Sequence, residues 1–141
     1  MKISAGMLIT DGIHLLVCHV TGGNNFDIPK GQIEFGEQPI EACIRETFEE
    51  TNLVYKKYQL KDLGEVSYLI DKNLHLFLTT VPQMPHIEIL KCTSMFERYG
   101  KSYPEVDYYK IIKISDMEQY LTKNMIISIN LAINLYDWER I

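Results

Sequence analysis

An α/β (α+β) fold, a mixed sheet with helices on its faces, is predicted from three features of the chain. Strand-like apolar stretches fill most of the sequence, separated by Gly, Asn and Pro turns. One amphipathic helix interrupts them at Pro39–Thr51, and a helical pattern closes the chain. Strands interleaved with a few helices require both faces of a sheet to be covered. The 141 residues suit one compact domain, expected over 1–141.

The elements follow in order. Ile3 to Thr10 reads as a strand, Asp11-Gly12 as a hairpin turn and His14 to Val20 as the partner strand. Thr21 to Asn25 is a Gly/Asn loop. Phe26 to Pro29 is short and extended, because Ile28 precedes a proline. Lys30 to Gly36 is a structured loop with two glycines. Pro39 opens the helix, where its missing N–H costs nothing. At 100° per residue Ile40, Cys43, Ile44, Thr47 and Phe48 form its apolar stripe. The helix is expected to stop near Asn52, since Asn tolerates the left-handed conformation that ends helices. Leu60 to Ile70 and Leu74 to Val81 read as strands joined at Asp71-Lys72-Asn73. Gln83 to Pro104 reads as a long irregular segment, and Val106 to Ile114 as a strand. Ser115 to Glu118 resembles a capping sequence for a short helix to Leu121. Asn124 to Glu139 reads as a final, packed helix.

Composition narrows the class. With 46% hydrophobic and 23% charged residues, a chain this long builds a core without disulfides or structural metal. A net charge of −5 argues against broad nucleic-acid binding, which needs a basic surface, but leaves room for a small basic pocket. Cys18, Cys43 and Cys92 are scattered and odd in number, as expected of free thiols in a reducing compartment. The N-terminal MKISAGMLITDG lacks the long apolar region and cleavage site of a signal peptide. The most apolar stretch, Met125 to Trp138, is broken by Ser128, Asn130, Asn134 and Asp137. A cytoplasmic protein with no membrane partner is expected, monomer or homodimer.

The chemistry lies in Pro29 to Leu53. Glu46 precedes Glu49 by three residues and Glu50 by four, which puts three carboxylates on one helix face, roughly opposite the apolar stripe. Two carboxylates ~5 Å apart repel by roughly 3 kcal/mol at an effective dielectric of 20. A solvated face usually intersperses lysines to relieve this, and here only Arg45 is available. An oxygen-loving dication, Mg²⁺ or Mn²⁺, would relieve it instead. Before the helix, Gly31 and Gly36 let the backbone bend sharply and approach a ligand closely.

These residues resemble the signature of Nudix hydrolases: Gly, five residues, Glu, seven residues, then Arg-Glu-U-x-Glu-Glu-x-Gly-U, with U bulky and apolar. Gly31, Glu37, Arg45, Glu46, Glu49 and Glu50 match all six key positions. At roughly 6% usage each, six such matches arise by chance about once in ten million windows. Asn52 stands where Gly is usual and Thr47 at an apolar position; neither touches the carboxylates. The resemblance implies an α/β/α sandwich and a pyrophosphohydrolase. It implies Glu49 and Glu50 as principal metal ligands, Glu46 as a further ligand or the base that activates water, and a carbonyl at Lys30 or Gly31 in the metal shell. It implies Arg45 as the group that holds the carboxylates, Glu37 as a support of the loop–helix junction, and one more carboxylate from outside the box. Glu88, Glu97, Glu105 and Asp107 are the candidates for the last, with Glu105 preferred over a plain surface acid.

For substrate, Phe26-Asp27-Ile28-Pro29-Lys30-Gly31 resembles the W-x-x-P-K-G approach to the box of diadenosine tetraphosphate hydrolases, with Phe26 in place of Trp. Phe26 and Lys30 are therefore expected to contact substrate, Lys30 either as a point charge on a polyphosphate or simply as a solvated loop residue. Among Tyr99, Tyr103, Tyr108 and Tyr109, Tyr109 is the preferred base-stacking candidate. Dinucleoside polyphosphates are the first expected substrates. RNA 5′ ends, ADP-ribose, NADH and (d)NTPs are alternatives, and a non-catalytic nucleotide sensor is the reading from another class.

Overall fold

The computed structural model describes residues 1–133 and 138. Its elements are β1 (Lys2–Thr10), β2 (His14–Val20), β3 (Phe26–Asp27), β4 (Lys30–Gln32), α1 (Pro39–Thr51), β5 (Lys61–Leu69), β6 (Lys72–Thr80), β7 (Met95–Arg98), β8 (Lys101–Pro104), β9 (Val106–Lys113) and α2 (Lys123–Ala132). Short 3-10 turns lie at Lys57–Gln59, Ile87–Ile89 and Ile114–Gln119.

The main sheet is mixed. β1 runs parallel to β6 from Lys2↔Lys72 to Thr10↔Thr80, and β5 pairs antiparallel with β6. β1 and β2 meet only at Thr10↔Leu15, beside a turn in which Asp11 Oδ1 accepts from the Ile13 and His14 amides. Beyond it they diverge, and the strap Phe26–Gln32 fills the gap. β3 pairs with β2 at Cys18↔Asp27, and β4 pairs with β1 at Ala5↔Gly31. β9 covers the outer edge of β2. The central strands are apolar on both sides because both faces are covered. Ala5, Met7, Ile9, Leu16 and Phe77 pack with Ala42 and Cys43 of α1. Leu8, Leu15, Val17, Leu74, Leu76 and Leu78 pack on the opposite side with Met125 and Ile129 of α2. The expected mixed sheet between helices is present.

Several details differ from the sequence reading. The β5–β6 turn is Ile70–Asp71, and Lys72 and Asn73 belong to the strand. Gln83 to Pro104 is not irregular throughout: its second half is the β7–β8 hairpin, turned by Tyr99 and Gly100 at φ 53° and 76°. Asn-Gly and Asp-Gly are the strong signals for such a turn, and Tyr-Gly hides it. The segment after β9 is a 3-10 turn preceded by Lys113 rather than a helix capped by Ser115. The final helix spans Lys123–Ala132, capped by Thr122, whose Oγ1 accepts from the Met125 amide. Its expected continuation over 134–137 and 139 lies outside the described residues. On α1 the buried face is Ala42, Cys43, Thr47, Glu50 and Thr51, while Phe48 is 42% exposed. The stripe is rotated from the expected one because the strap, as well as the sheet, covers the helix.

Candidate active site

Backbone chemistry at the end of α1 fixes where its acids stand. Asn52 adopts the left-handed conformation at φ 69°, as its side chain leads one to expect, and its amide donates to the Phe48 carbonyl. The next three carbonyls are also satisfied, as a buried helix end requires. The Glu49 carbonyl accepts from the amides of Thr93 and Ser94, the Glu50 carbonyl from the Tyr109 hydroxyl, and the Thr51 carbonyl from the Lys91 amide. The last turn is therefore clamped from outside the helix. It carries Glu49 and Glu50 and contains no basic residue of its own, at the negative end of the helix dipole, where a cation is favoured.

Arg45 organises the acids. Its Nε and Nη2 hold Glu37 in a two-pronged pair at 2.8 and 3.0 Å. Its Nη1 reaches Glu46 at 2.7 Å and Glu49 at 3.3 Å, and Nη2 also donates to the Gln32 carbonyl. Only a guanidinium offers this many donors in one plane. Glu37 in turn accepts from the Glu34 amide and closes the loop before the helix. The hydrogen bonds from Arg45 hold its carboxyl below the usual range despite some burial.

The strap supplies the opposite wall. The Lys30 amide donates to Glu50 Oε1 at 2.8 Å. A side chain on Gly31 would begin 2.0 Å from Glu46 Cδ, so the carboxylate lies directly on the glycine backbone. Burial pushes the Glu46 carboxyl upward, against the pull of Arg45. Burial also drives Glu50, only 8% exposed, up to about 8, opposed by the Lys30 amide and side chain. Glu50 is thus not on a face opposite the core. It sits three residues from Thr47 and shares that residue's buried side.

A cleft of about 420 Å³ runs beside this cluster, lined by Asp27, Lys30, Gly31, Gln32, Glu50, Lys72, Phe96, Arg98 and Glu105, among others. Lys30 and Glu105 are therefore brought to the site. Lys30 Nζ pairs with Asp27 at 2.8 Å. Burial disfavours its charge, but Asp27 outweighs that and raises its pKa. Glu105 adds to the field that raises Glu46. Phe26 does not reach the cleft. It is 7% exposed and packs edge-on against His19, Tyr108 and Tyr120, because its side of β3 faces the α2 layer. Tyr109 packs in the α1 layer and commits its hydroxyl to the Glu50 carbonyl, so it holds the helix end rather than a base. Sequence reading missed Phe96, Arg98 and Lys72, the first two on the unrecognised hairpin.

The donor set suits a dication in kind: Glu46, Glu49, Glu50 and Glu105 are hard oxygen donors, and two of them carry charge at a cost that a cation would relieve. Gly31 is tested by the same geometry, since any side chain there would displace Glu46. Among the described residues no three His, Cys, Asp or Glu side chains close on one point as a ready-made cage. Arg45 Nη1 bridges Glu46 and Glu49 instead.

The helix-borne carboxylates, held by Arg45 and backed by the Gly31 strap, offer oxygen donors suited to a dication. Residues 1–80 match the family model described as NUDIX domain. The chain belongs to this family and is a pyrophosphohydrolase. It is similar to an uncharacterised 17.7 kDa protein of Enterobacteria phage T4, 34% identical over 122 residues, covering 78% of this chain and 81% of that protein. It is also 35% identical over 68 residues to the m7GpppN-mRNA hydrolase dcap-2 of Caenorhabditis elegans, covering 48% of this chain but only 9% of that protein. Among solved structures, an Ap4A hydrolase binary complex from C. elegans shares the fold, with a TM-score of 0.59 at 19% identity over 97% of this chain and 96% of that one. Among the described residues no helix is long and apolar enough to cross a membrane.

Proposed function

We propose that the chain hydrolyses a phosphoanhydride in a nucleoside diphosphate linked to another group, with dinucleoside polyphosphates as the first candidates. The observation that carries this is the packing of half-buried Glu46 against Gly31 and of buried Glu50 on the Lys30 amide, with Lys30, Gly31, Glu50 and Glu105 lining one cleft. Glu46, Glu49 and Glu50, with Glu105 from outside the box, are the groups that would hold Mg²⁺ or Mn²⁺. A bound ion of this kind acidifies water and neutralises phosphate oxygens. Glu46, a further ligand or the base, would take a proton from the attacking water in the second role, and the burial that pushes its carboxyl upward makes its carboxylate more basic. Arg45 and Glu37 position the carboxylates, and the backbone carbonyls of the strap offer further hard oxygen. Lys30 presents a charge toward the phosphate chain from its pair with Asp27. The choice of dinucleoside polyphosphates rests on the Pro29-Lys30-Gly31 approach to the box.

A second reading, removal of 5′ phosphates or caps from RNA, is favoured by the 35% identity to the mRNA hydrolase. The net charge of −5 weighs against it. A non-catalytic sensor is disfavoured because the box carboxylates Glu37, Glu46, Glu49 and Glu50 are all retained. The test is hydrolysis of a panel with product identification: dinucleoside polyphosphates, ADP-ribose, NADH, dNTPs and 5′-triphosphate RNA. The expected result is Mg²⁺- or Mn²⁺-dependent release of nucleotides, fastest from a dinucleoside polyphosphate. Preferential turnover of RNA selects the second reading, and tight nucleotide binding without turnover defeats both.

A further inference from the structure

The cleft has a second wall that no box residue builds. The β7–β8 hairpin brings Phe96 and Arg98 into the space lined by Lys30, Glu50 and Glu105. Its placement is tied to the acids. Thr93, two residues before β7, donates its amide to the Glu49 carbonyl at 2.7 Å, and the Glu105 amide, just after β8, donates to the Ser94 carbonyl. The hairpin root is therefore bonded to the helix turn that carries Glu49 and Glu50. The Tyr99-Gly100 turn keeps the hairpin tight.

Arg98 is shaped toward this space. Its guanidinium lies over the Phe96 ring at 5.7 Å. A side chain on Gly22, at φ +80°, would begin 3.6 Å from Arg98 Nη1, so the Gly22 loop also borders the group. Among the described residues neither Arg98 nor Lys72, on the rim of the same cleft, forms an ion pair within 4.0 Å. The cleft thus holds Glu50 on the α1 side, Glu105 at the hairpin root, and, on the hairpin and at the start of β6, two cations that have no carboxylate partner among the described residues. An aromatic ring stands beside those cations. That arrangement matches a ligand with two demands: phosphates to be shared between a cation-bearing acid cluster and fixed positive charge, and a flat base to be stacked.

We infer that the β7–β8 hairpin is the nucleotide-binding wall of this enzyme, with Arg98 holding a phosphate that is not itself attacked and Phe96 stacking on the base. Lys72 adds charge at the rim. This deepens the hydrolase reading above and rests on it. Arg98 and Phe96 bind substrate and leave the reacting phosphorus to the acids.

The test pairs kinetics with binding. Arg98→Ala, Phe96→Leu and Lys101→Ala are compared on the best substrate of the panel, and ADP binding is measured by calorimetry with and without Mg²⁺. A charged hydrogen bond is worth roughly 1.5–3 kcal/mol, so Arg98→Ala is expected to raise KM and weaken ADP binding by at least about tenfold, with kcat within about twofold. Phe96→Leu shows a smaller loss in the same two quantities. Lys101→Ala, an exposed charge on the same hairpin that is not among the residues lining the cleft, leaves both unchanged. Wild-type KM and ADP affinity in Arg98→Ala and Phe96→Leu overturn the inference, as does a loss confined to kcat or no ADP binding by the wild type in either condition. ADP binding that depends on Arg98 in a protein that hydrolyses nothing in the panel leaves the wall in place and defeats the hydrolase reading instead.

Discussion

Gly31→Ala separates the site from the scaffold. The added Cβ would stand 2.0 Å from Glu46 Cδ and 2.2 Å from both of its oxygens. The carboxylate must retreat by about 1.4 Å, from 2.0 Å to the 3.4 Å at which ordinary contact begins, and in doing so it strains its 2.7 Å bond to Arg45. What must move is the end of a flexible side chain, so the fold is expected to lose no more than about 1 kcal/mol, at the low end of overpacking costs. A displacement of ~1 Å at a catalytic group costs about 10²-fold in rate. The expected outcome is a kcat about a hundredfold lower, KM little changed, and a melting temperature within a few degrees of wild type. Stopped assays with saturating Mg²⁺ and a parallel melting curve measure both quantities. Wild-type kcat in Gly31→Ala refutes the assigned place of Glu46, and an unfolded variant refutes the division between site and scaffold.

Two further outcomes follow from the same geometry. Arg45→Lys keeps the charge but loses the fork that holds Glu37 and Glu46 together; a loss of about 1–3 kcal/mol, read by denaturant unfolding, should accompany a fall in kcat. The Glu50 carboxyl, raised from 4.5 to about 8 by burial, favours the protonated folded state. Its contribution to stability is fully present below pH 4.5 and is lost as pH rises through about 8, amounting to roughly 5 kcal/mol at most by 1.36 kcal/mol per unit. In EDTA the melting temperature should therefore fall between about pH 4.5 and pH 8 and level off above, and Glu50→Gln should flatten that fall; identical pH profiles for the two proteins count against the burial of Glu50.

The helix and its acids were legible because a fixed 100° per residue converts spacing into a face, and because Asn52 has a backbone preference that ends helices. Glu50 belongs by the same periodicity beside Cys43 and Thr47, on the edge of the apolar stripe, and a carboxylate is kept on that buried edge by the Lys30 amide, which comes from a strap twenty residues away in sequence. Phe26 was read as a substrate contact from its neighbours in the chain, yet its face is decided by the register Cys18↔Asp27 and His19↔Phe26 with β2, which a two-residue strand does not announce. The β7–β8 hairpin was hidden because Tyr99 adopts positive φ without being Gly, Asn or Asp. With the hairpin went Phe96 and Arg98, so the half of the site concerned with the nucleotide was the half left unread. Glu105 was recognised as an acid near a strand start, and the hairpin root that carries it explains why it reaches the cleft.

In the proposed reaction the carboxylates at the end of α1 carry out metal-dependent hydrolysis of a phosphoanhydride. Turnover of diadenosine tetraphosphate in Mg²⁺ by wild type and by Glu49→Gln tests it most directly, with circular dichroism as a check on the fold. The expected result is nucleotide release by the wild type that stops in EDTA, and turnover lower by several orders of magnitude in a folded Glu49→Gln protein. Near-normal Mg²⁺-dependent hydrolysis by Glu49→Gln would contradict it.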